Sequence, residues 1–214
     1  MRYKLVAFDM DDTLLSGRTI YVLADRKNFR EEIDEIISMK IPNYIKTIEI
    51  AKFLRGMSVD EFLQIFRSIP LNKNVPEVIK ELKEMGMKLA IISNSYDLGA
   101  NDLAQRLGFD FVIANRLVVE NGVITGEVIP YTTENVDDIS DCRSCSVCKR
   151  DALLEICRKM SIDPSESIAV GDGGIDRFML EIAGLGVAYR PKVNLIKYAD
   201  AIIEDMAELL DLIR

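Results

Sequence analysis

The sequence predicts an α/β fold: a doubly wound, mostly parallel sheet, with a small helical block inserted after the first strand, and a β-hairpin. Three observations predict it. From Pro76 onward, short apolar runs alternate with segments of helical period, the pattern of a parallel sheet covered on both faces. Residues 16–72 show helical periodicity and no convincing strand. Asn121-Gly122, set between two apolar runs, supplies the positive φ angles of a two-residue hairpin turn. A chain of 214 residues suits this plan: an α/β core over 1–15 and 73–214, a helical insert over 16–72, and a cysteine-containing insertion over 130–149.

Taken in order, Tyr3 to Phe8 is a short apolar run and reads as a buried strand, which stops where Asp9, Asp11 and Asp12 crowd its carboxyl end. In the insert, Ile33, Ile36 and Ile37 mark one apolar helix face and Ile48, Ala51, Phe53 and Leu54 another. Pro42 should separate these two helices, because proline lacks the N–H that a helix interior needs. Ser58 followed by Glu61 is the signature of a helix N-terminus, opening a helix through Phe62 and Phe66. Val78 to Met85 reads as a helix stopped at Gly86, Met87 to Ile92 as a strand ending at Ser93, and Asp97 to Leu107 as a helix stopped at Gly108. Phe109 to Ala114 is an apolar run, and residues 118–124 form the hairpin. A helix over Arg150 to Met160 and a strand over Ser167 to Val170 follow. A helix to about Ala183, strands over Leu185 to Ala188 and Ala201 to Ile203, and a last helix over Met206 to Leu212 complete the chain.

Composition excludes several classes. Half the residues are apolar (49%) and 29% charged, which is globular rather than disordered usage. No apolar run reaches the ~18 residues of a membrane span, and the opening residues carry carboxylates where a signal peptide would be apolar. A cytoplasmic protein is expected. A net charge of −8 argues against a nucleic-acid or anionic-membrane partner. The chain contains no histidine. That removes Ser-His-Asp and Cys-His nucleophile pairs, phosphohistidine chemistry and any His-containing metal site. Acid–base chemistry must then use carboxylates, Lys, Cys or Tyr.

The expected strand ends carry a pattern. Phe8 runs into Asp9 and Asp11, Ile92 into Ser93, and Val170 into Asp172 and Asp176, all on the edge of a parallel sheet where ligands bind. Carboxylates converging there repel one another unless a cation lies among them, and an oxygen-only site suits Mg²⁺.

These residues carry a resemblance. Asp9-Met10-Asp11-Asp12-Thr13 after a strand, Ser93 at the end of another, Lys149 beside a helix and Gly171-Asp172-Gly173-Gly174-Ile175-Asp176 occur in the order of four motifs. The chain resembles the haloacid dehalogenase-like hydrolases, within them the phosphoserine phosphatase-like branch, over nearly its whole length. The resemblance implies a Rossmann-like core with a small helical cap over 16–72, and a Mg²⁺-dependent phosphatase acting on a small phosphorylated metabolite. By it, Asp9 is the nucleophile that becomes an aspartyl phosphate, and Asp11 the general acid and then base. Asp9, Asp11 through its backbone carbonyl, and Asp172 hold the metal, and Asp176 supports the metal site or Lys149. Ser93 binds the phosphoryl group and Lys149 neutralises developing charge. Gly173 and Asn94 are candidate substrate contacts. A phosphotransferase or phosphomutase is the enzymatic alternative, and a non-catalytic phosphate-binding or redox-sensing subunit the alternative from another class.

The chain departs from the branch at several points. Arg18 stands where an acidic residue would meet a substrate amine, and Ile50 near a cap arginine, so the expected substrate is a phosphomonoester other than phosphoserine. Arg18 itself reads either as a solvated cation or as a contact to an anionic or hydroxyl-rich substrate group. Ile175 replaces a usual Asn, and Ser93-Asn94-Ser95 replaces a glycine-rich turn. Cys142, Cys145, Cys148 and Cys157 leave three readings open: a Zn²⁺ or iron–sulfur site, disulfides, or free thiols. Nothing in the sequence specifies an oligomeric state.

Overall fold

The computed structural model describes residues 2–134, 144–191 and 194–214. Its centre is a seven-stranded sheet, with strands β1 (Leu5–Phe8), β2 (Lys88–Tyr96), β3 (Phe111–Glu120), β4 (Val123–Ile129), β5 (Ser167–Gly171), β6 (Leu185–Tyr189) and β7 (Ala201–Ile203). Their spatial order is β4-β3-β2-β1-β5-β6-β7, and all neighbours are parallel except β3 and β4. The Asn121-Gly122 turn joins that antiparallel pair with φ of 49° and 78°, both positive as its sequence requires.

Alternation along the central strands sorts the core into two layers. Val6, Phe8, Leu89, Ile91, Ile168 and Val170 face α5 (Val75–Glu84), α6 (Asp97–Leu107) and α9 (Glu208–Asp211). Leu5, Ala7, Ala90, Ile92, Ala169 and Ala188 face α7 (Lys149–Met160) and α8 (Arg177–Leu180). On this second face Ala90, Ala7, Ala169 and Gly186 lie side by side in register across four strands. Small side chains there let the helices approach closely; a Cβ on Gly186 would come within 2.7 Å of the Leu180 carbonyl oxygen.

Residues 16–72 form α1 (Thr19–Lys27), α2 (Arg30–Ser38), α3 (Asn43–Ala51), a 3₁₀ turn at Lys52–Leu54, and α4 (Val59–Phe66). Pro42 sits immediately before α3, and the Ser58 side chain accepts a hydrogen bond from the Glu61 N–H, capping α4 as expected. Phe62 and Phe66 are fully buried. The block is also joined to the hairpin by backbone hydrogen bonds: Gly56 N–H to Ile124 O, Ile124 N–H to Met57 O and Val59 N–H to Gly122 O, each 2.9 Å. Arg67, at the end of α4, pairs with the buried Asp102 of α6, which Arg106 also holds.

Several boundaries differ from expectation. β2 runs past Ser93 to Tyr96, with an irregularity between Ile92 and Tyr96. Lys149 is the first residue of α7 rather than lying before it. The helix expected to reach Ala183 is the four-residue α8, because the glycine-rich segment before it bends back on Asp176. Among the described residues, no helix is long and apolar enough to cross a membrane.

Candidate active site

The parallel register assembles the site. Phe8 pairs with Ile91 on one side and Val170 on the other, so the next residues of the three strands emerge together at the carboxyl edge. Asp9 N–H still donates to Val170 O at 2.9 Å, fixing the nucleophile candidate against β5. Asp9, Asp172 and Asp176 place one carboxylate oxygen each within 4.8 Å of one another, and all three are buried. Lys149, also buried, donates from Nζ to Asp9 Oδ1 and Asp176 Oδ1, both at 2.5 Å.

Asp176 is fully occupied. Its other oxygen accepts from the N–H groups of Asp172 (3.0 Å) and Gly173 (2.9 Å), so it ties the loop after β5 to Lys149. Gly171 permits this closeness, since a Cβ there would lie 2.4 Å from Asp176 Cγ. The N–H of Gly173, a candidate substrate donor, is thus turned to Asp176, although the residue still lines the cavity.

Burial holds the Asp9 carboxyl well above its usual range, a push that Asp176 and Asp172 reinforce and Lys149 opposes. Lys149 keeps its proton: burial would lower its pKa, but Asp176 and Asp9 outweigh that and raise it. Three carboxylates against one ammonium leave an excess of negative charge in a buried place. A hard divalent cation with oxygen ligands relieves it, so the donor set fits Mg²⁺. Asp11 lies outside the trio. Its Oδ1 accepts from the Thr19 hydroxyl (2.5 Å) and N–H (3.1 Å), and burial raises its pKa to about 6 despite those bonds. Asp12 has φ +62°, in keeping with a loop-shaping residue.

A cavity of about 380 Å³ opens above these groups. Ser93 and Asn94 line it from β2. Ser93 Oγ accepts from Ser95 N–H at 3.1 Å, leaving its own proton available to a ligand. Asn94 is anchored: its Oδ1 accepts from Val147 N–H (2.9 Å) and Ser146 Oγ (3.0 Å). Asn115 Nδ2 donates to Asn94 O, Ser95 O and Ser146 Oγ. These bonds secure the segment just before Lys149, and neither Ser146 nor Asn115 stood out in the sequence. From residues 16–72 the cavity receives the exposed Arg18 and a face of α3 bearing Lys46 and Ile50. No carboxylate of that block lines it.

Among the described residues no cysteines gather into a metal centre. Cys148 is disulfide-bonded. Cys157 is buried in the apolar layer under α7, and Cys145 is buried where Asn43 Nδ2 approaches its Sγ at 4.0 Å. Burial raises both thiols, the reverse of what a metal-binding thiolate needs. Cys142, and residues 135–143 of the expected 130–149 insertion, lie outside the described residues. Among the described residues, the sole cluster of carboxylate, Cys or His groups able to hold a metal ion is the aspartate trio.

Residues 3–184 match the model of the haloacid dehalogenase-like hydrolases, and the chain belongs to that family. Within it, the chain is a phosphoric monoester hydrolase of the phosphoserine phosphatase-like branch. It is 32% identical over 204 residues to a phosphoserine phosphatase of Archaeoglobus fulgidus, covering 94% of this chain and 56% of that protein's length. It is 30% identical over 218 residues to that of Methanocaldococcus jannaschii, covering 99% and 98% of the two chains. A solved phosphoserine phosphatase described as a phospho-aspartyl intermediate analogue superposes with a TM-score of 0.82 at 29% identity, over 100% of both chains. An apo phosphoserine phosphatase gives 0.83 at 29% identity, over 99% of this chain and 100% of that one.

Proposed function

We propose that the protein hydrolyses a small phosphomonoester other than phosphoserine, with Mg²⁺, through an aspartyl phosphate on Asp9, and that residues 16–72 act as the cap over its site. The observation that carries this reading is the Lys149 ammonium held between Asp9 and Asp176 at the floor of the cavity. Asp9 and Asp172, with the backbone carbonyl of Asp11, would hold Mg²⁺. When bound, that ion supplies positive charge to the phosphoryl oxygens and lets an anionic nucleophile approach them.

The residues divide the reaction as follows. An Asp9 carboxylate oxygen attacks phosphorus, the bond to the ester oxygen breaks, and Asp11 gives that oxygen its proton, releasing the alcohol. A pKa of about 6 suits a carboxyl that must be protonated at this moment. Water then attacks the phosphorus of the aspartyl phosphate, Asp11 takes a proton back, and phosphate leaves Asp9 as a carboxylate. Ser93 donates to the phosphoryl group throughout. Lys149 offsets charge on Asp9 and the transferring oxygens, and Asp176 keeps Lys149 in place.

Phosphoserine is disfavoured because its ammonium would enter a cap wall that carries Arg18 and no carboxylate. Assay of the purified protein with Mg²⁺ and p-nitrophenyl phosphate tests the chemistry. Turnover is expected in the wild type and absent in Asp9→Asn, and an Asp9→Asn variant with full activity overturns the assignment. Equal release of alcohol and free phosphate separates hydrolysis from transfer. Robust turnover of phosphoserine overturns the substrate part alone.

A further inference from the structure

Besides Arg18, Ile20 and Ile37, residues 16–72 give the cavity one helix face, called its wall below. Asn43, Lys46, Thr47 and Ile50 stand at i, i+3, i+4 and i+7 of α3 and all line the cavity. A helix resting on a core ordinarily fills that stripe with apolar side chains. Here its first three positions are polar, and one is a cation.

Lys46 is held rather than loose. Its Nζ donates to the Ile37 carbonyl oxygen at 2.6 Å, in the last turn of α2, where carbonyls have no partner within the helix and the dipole favours a positive charge. An ammonium has three protons, and this bond uses one. Among the described residues no carboxylate lies within ion-pair distance of it. The carboxylates lining the cavity, Asp9, Asp11, Asp12, Asp172 and Asp176, all belong to the floor loops. Apolar side chains also line the cavity, Ile20 from α1, Ile37 from α2 and Ile50 from α3.

On the phosphomonoesterase reading above, the phosphate occupies the floor and the leaving group extends to this wall. We infer that Lys46 is the specificity-determining residue of the cap, receiving a second anionic group on the leaving group, and that the substrate is a short phosphomonoester with an apolar middle, an anionic end and no ammonium. A terminal carboxylate and a second phosphate share this chemistry. A volume of about 380 Å³ is ample for a small phosphomonoester of this kind.

The test is a series differing by one group at a time: 3-phosphonooxypropanoate, propane-1,3-diol bisphosphate, n-propyl phosphate and phosphoserine, each with Mg²⁺. We expect kcat/KM for one or both of the first two to exceed that for n-propyl phosphate by about tenfold or more, as a charge-assisted hydrogen bond provides. Phosphoserine should fall below 3-phosphonooxypropanoate. The preferred member shows which anion is taken. Lys46→Gln should collapse the preference ratio through KM, and Lys46→Arg should retain it. The same ligands titrated calorimetrically into Asp9→Asn protein with Mg²⁺ should show the Lys46 dependence in Kd without any turnover. No preference for an anionic end, a Lys46→Gln variant that preserves the ratio, or phosphoserine as the best member overturns the inference. Absent turnover of p-nitrophenyl phosphate with Lys46-dependent binding intact would instead overturn the enzymatic reading and leave this one standing.

Discussion

Lys149 and Asp176 face each other at 2.5 Å beneath the cavity, and the second oxygen of Asp176 is consumed by two backbone N–H groups. Asp176 is therefore a strut for the lysine. Lys149→Met should lower kcat by about 10²–10³-fold, the range for losing a preorganised charge at a reacting centre. The same variant leaves the carboxylate trio without its counter-charge. The rise in melting temperature on adding Mg²⁺ should accordingly be larger than in the wild type, and smaller than wild type in Asp172→Asn. Differential scanning fluorimetry with and without the ion checks both.

In the mechanism proposed above Asp11 protonates the departing oxygen, so its importance should scale with how badly that oxygen needs a proton. Asp11→Asn should reduce kcat for an alkyl phosphate by about 10²–10⁴-fold. The loss should be markedly smaller for p-nitrophenyl phosphate, whose phenolate leaves unaided. Single-turnover rates on the two esters decide it, and an equal loss on both would falsify the acid role.

Asp102 is a point where stability should follow pH. Burial alone would raise its pKa, but hydrogen bonds from Arg67 and Arg106 outweigh that and lower it below 3.8. A depressed carboxyl pKa contributes stability that is complete above the ordinary value and fades as pH falls through the folded-state value. The contribution should thus be present from about pH 5 upward and vanish in the acid range below pH 4. Both arginines are well exposed, so screening limits it to about 1 kcal/mol. Urea unfolding of Asp102→Asn and wild type should differ at pH 7, and the difference should shrink as the pH falls into the acid range.

Asn94 should behave as a positioning residue. Asn94→Ala leaves Val147 N–H and Ser146 Oγ without their shared acceptor, at a cost of about 1–3 kcal/mol for buried polar groups. Slack in that segment reaches Lys149 two residues later. The expected signature is a fall in kcat with little change in KM, whereas a substrate contact would move KM.

Much of this arrangement was legible because it rests on local rules. Asn121-Gly122 dictates its turn, Pro42 and Ser58 mark helix starts, and Asp97 to Leu107 ends at a glycine with φ +78°. The floor of the site was legible for a related reason: in a parallel sheet, residues that follow buried strands must share an edge. What escaped depended on contacts between distant segments. β2 continues past Ser93 because Tyr96 pairs with Asn115, a partnership no local pattern announces. Lys46 drew no notice in the sequence, since only the packing of α3 reveals which face turns inward. Its spacing with Asn43, Thr47 and Ile50 was the available signal, an interrupted apolar stripe on one face. The cysteines were opaque because their spacing is equally compatible with metal, bridge and thiol.

The three backbone bonds that tie Gly56, Met57 and Val59 to Ile124 and Gly122 of the hairpin have a mechanical consequence. Besides its two chain connections, the 16–72 block has a third attachment along one border, so in the cap role proposed above it would not lift as a free lid. In that role any opening would pivot about this seam, and access to the cavity would be set by one hinge line.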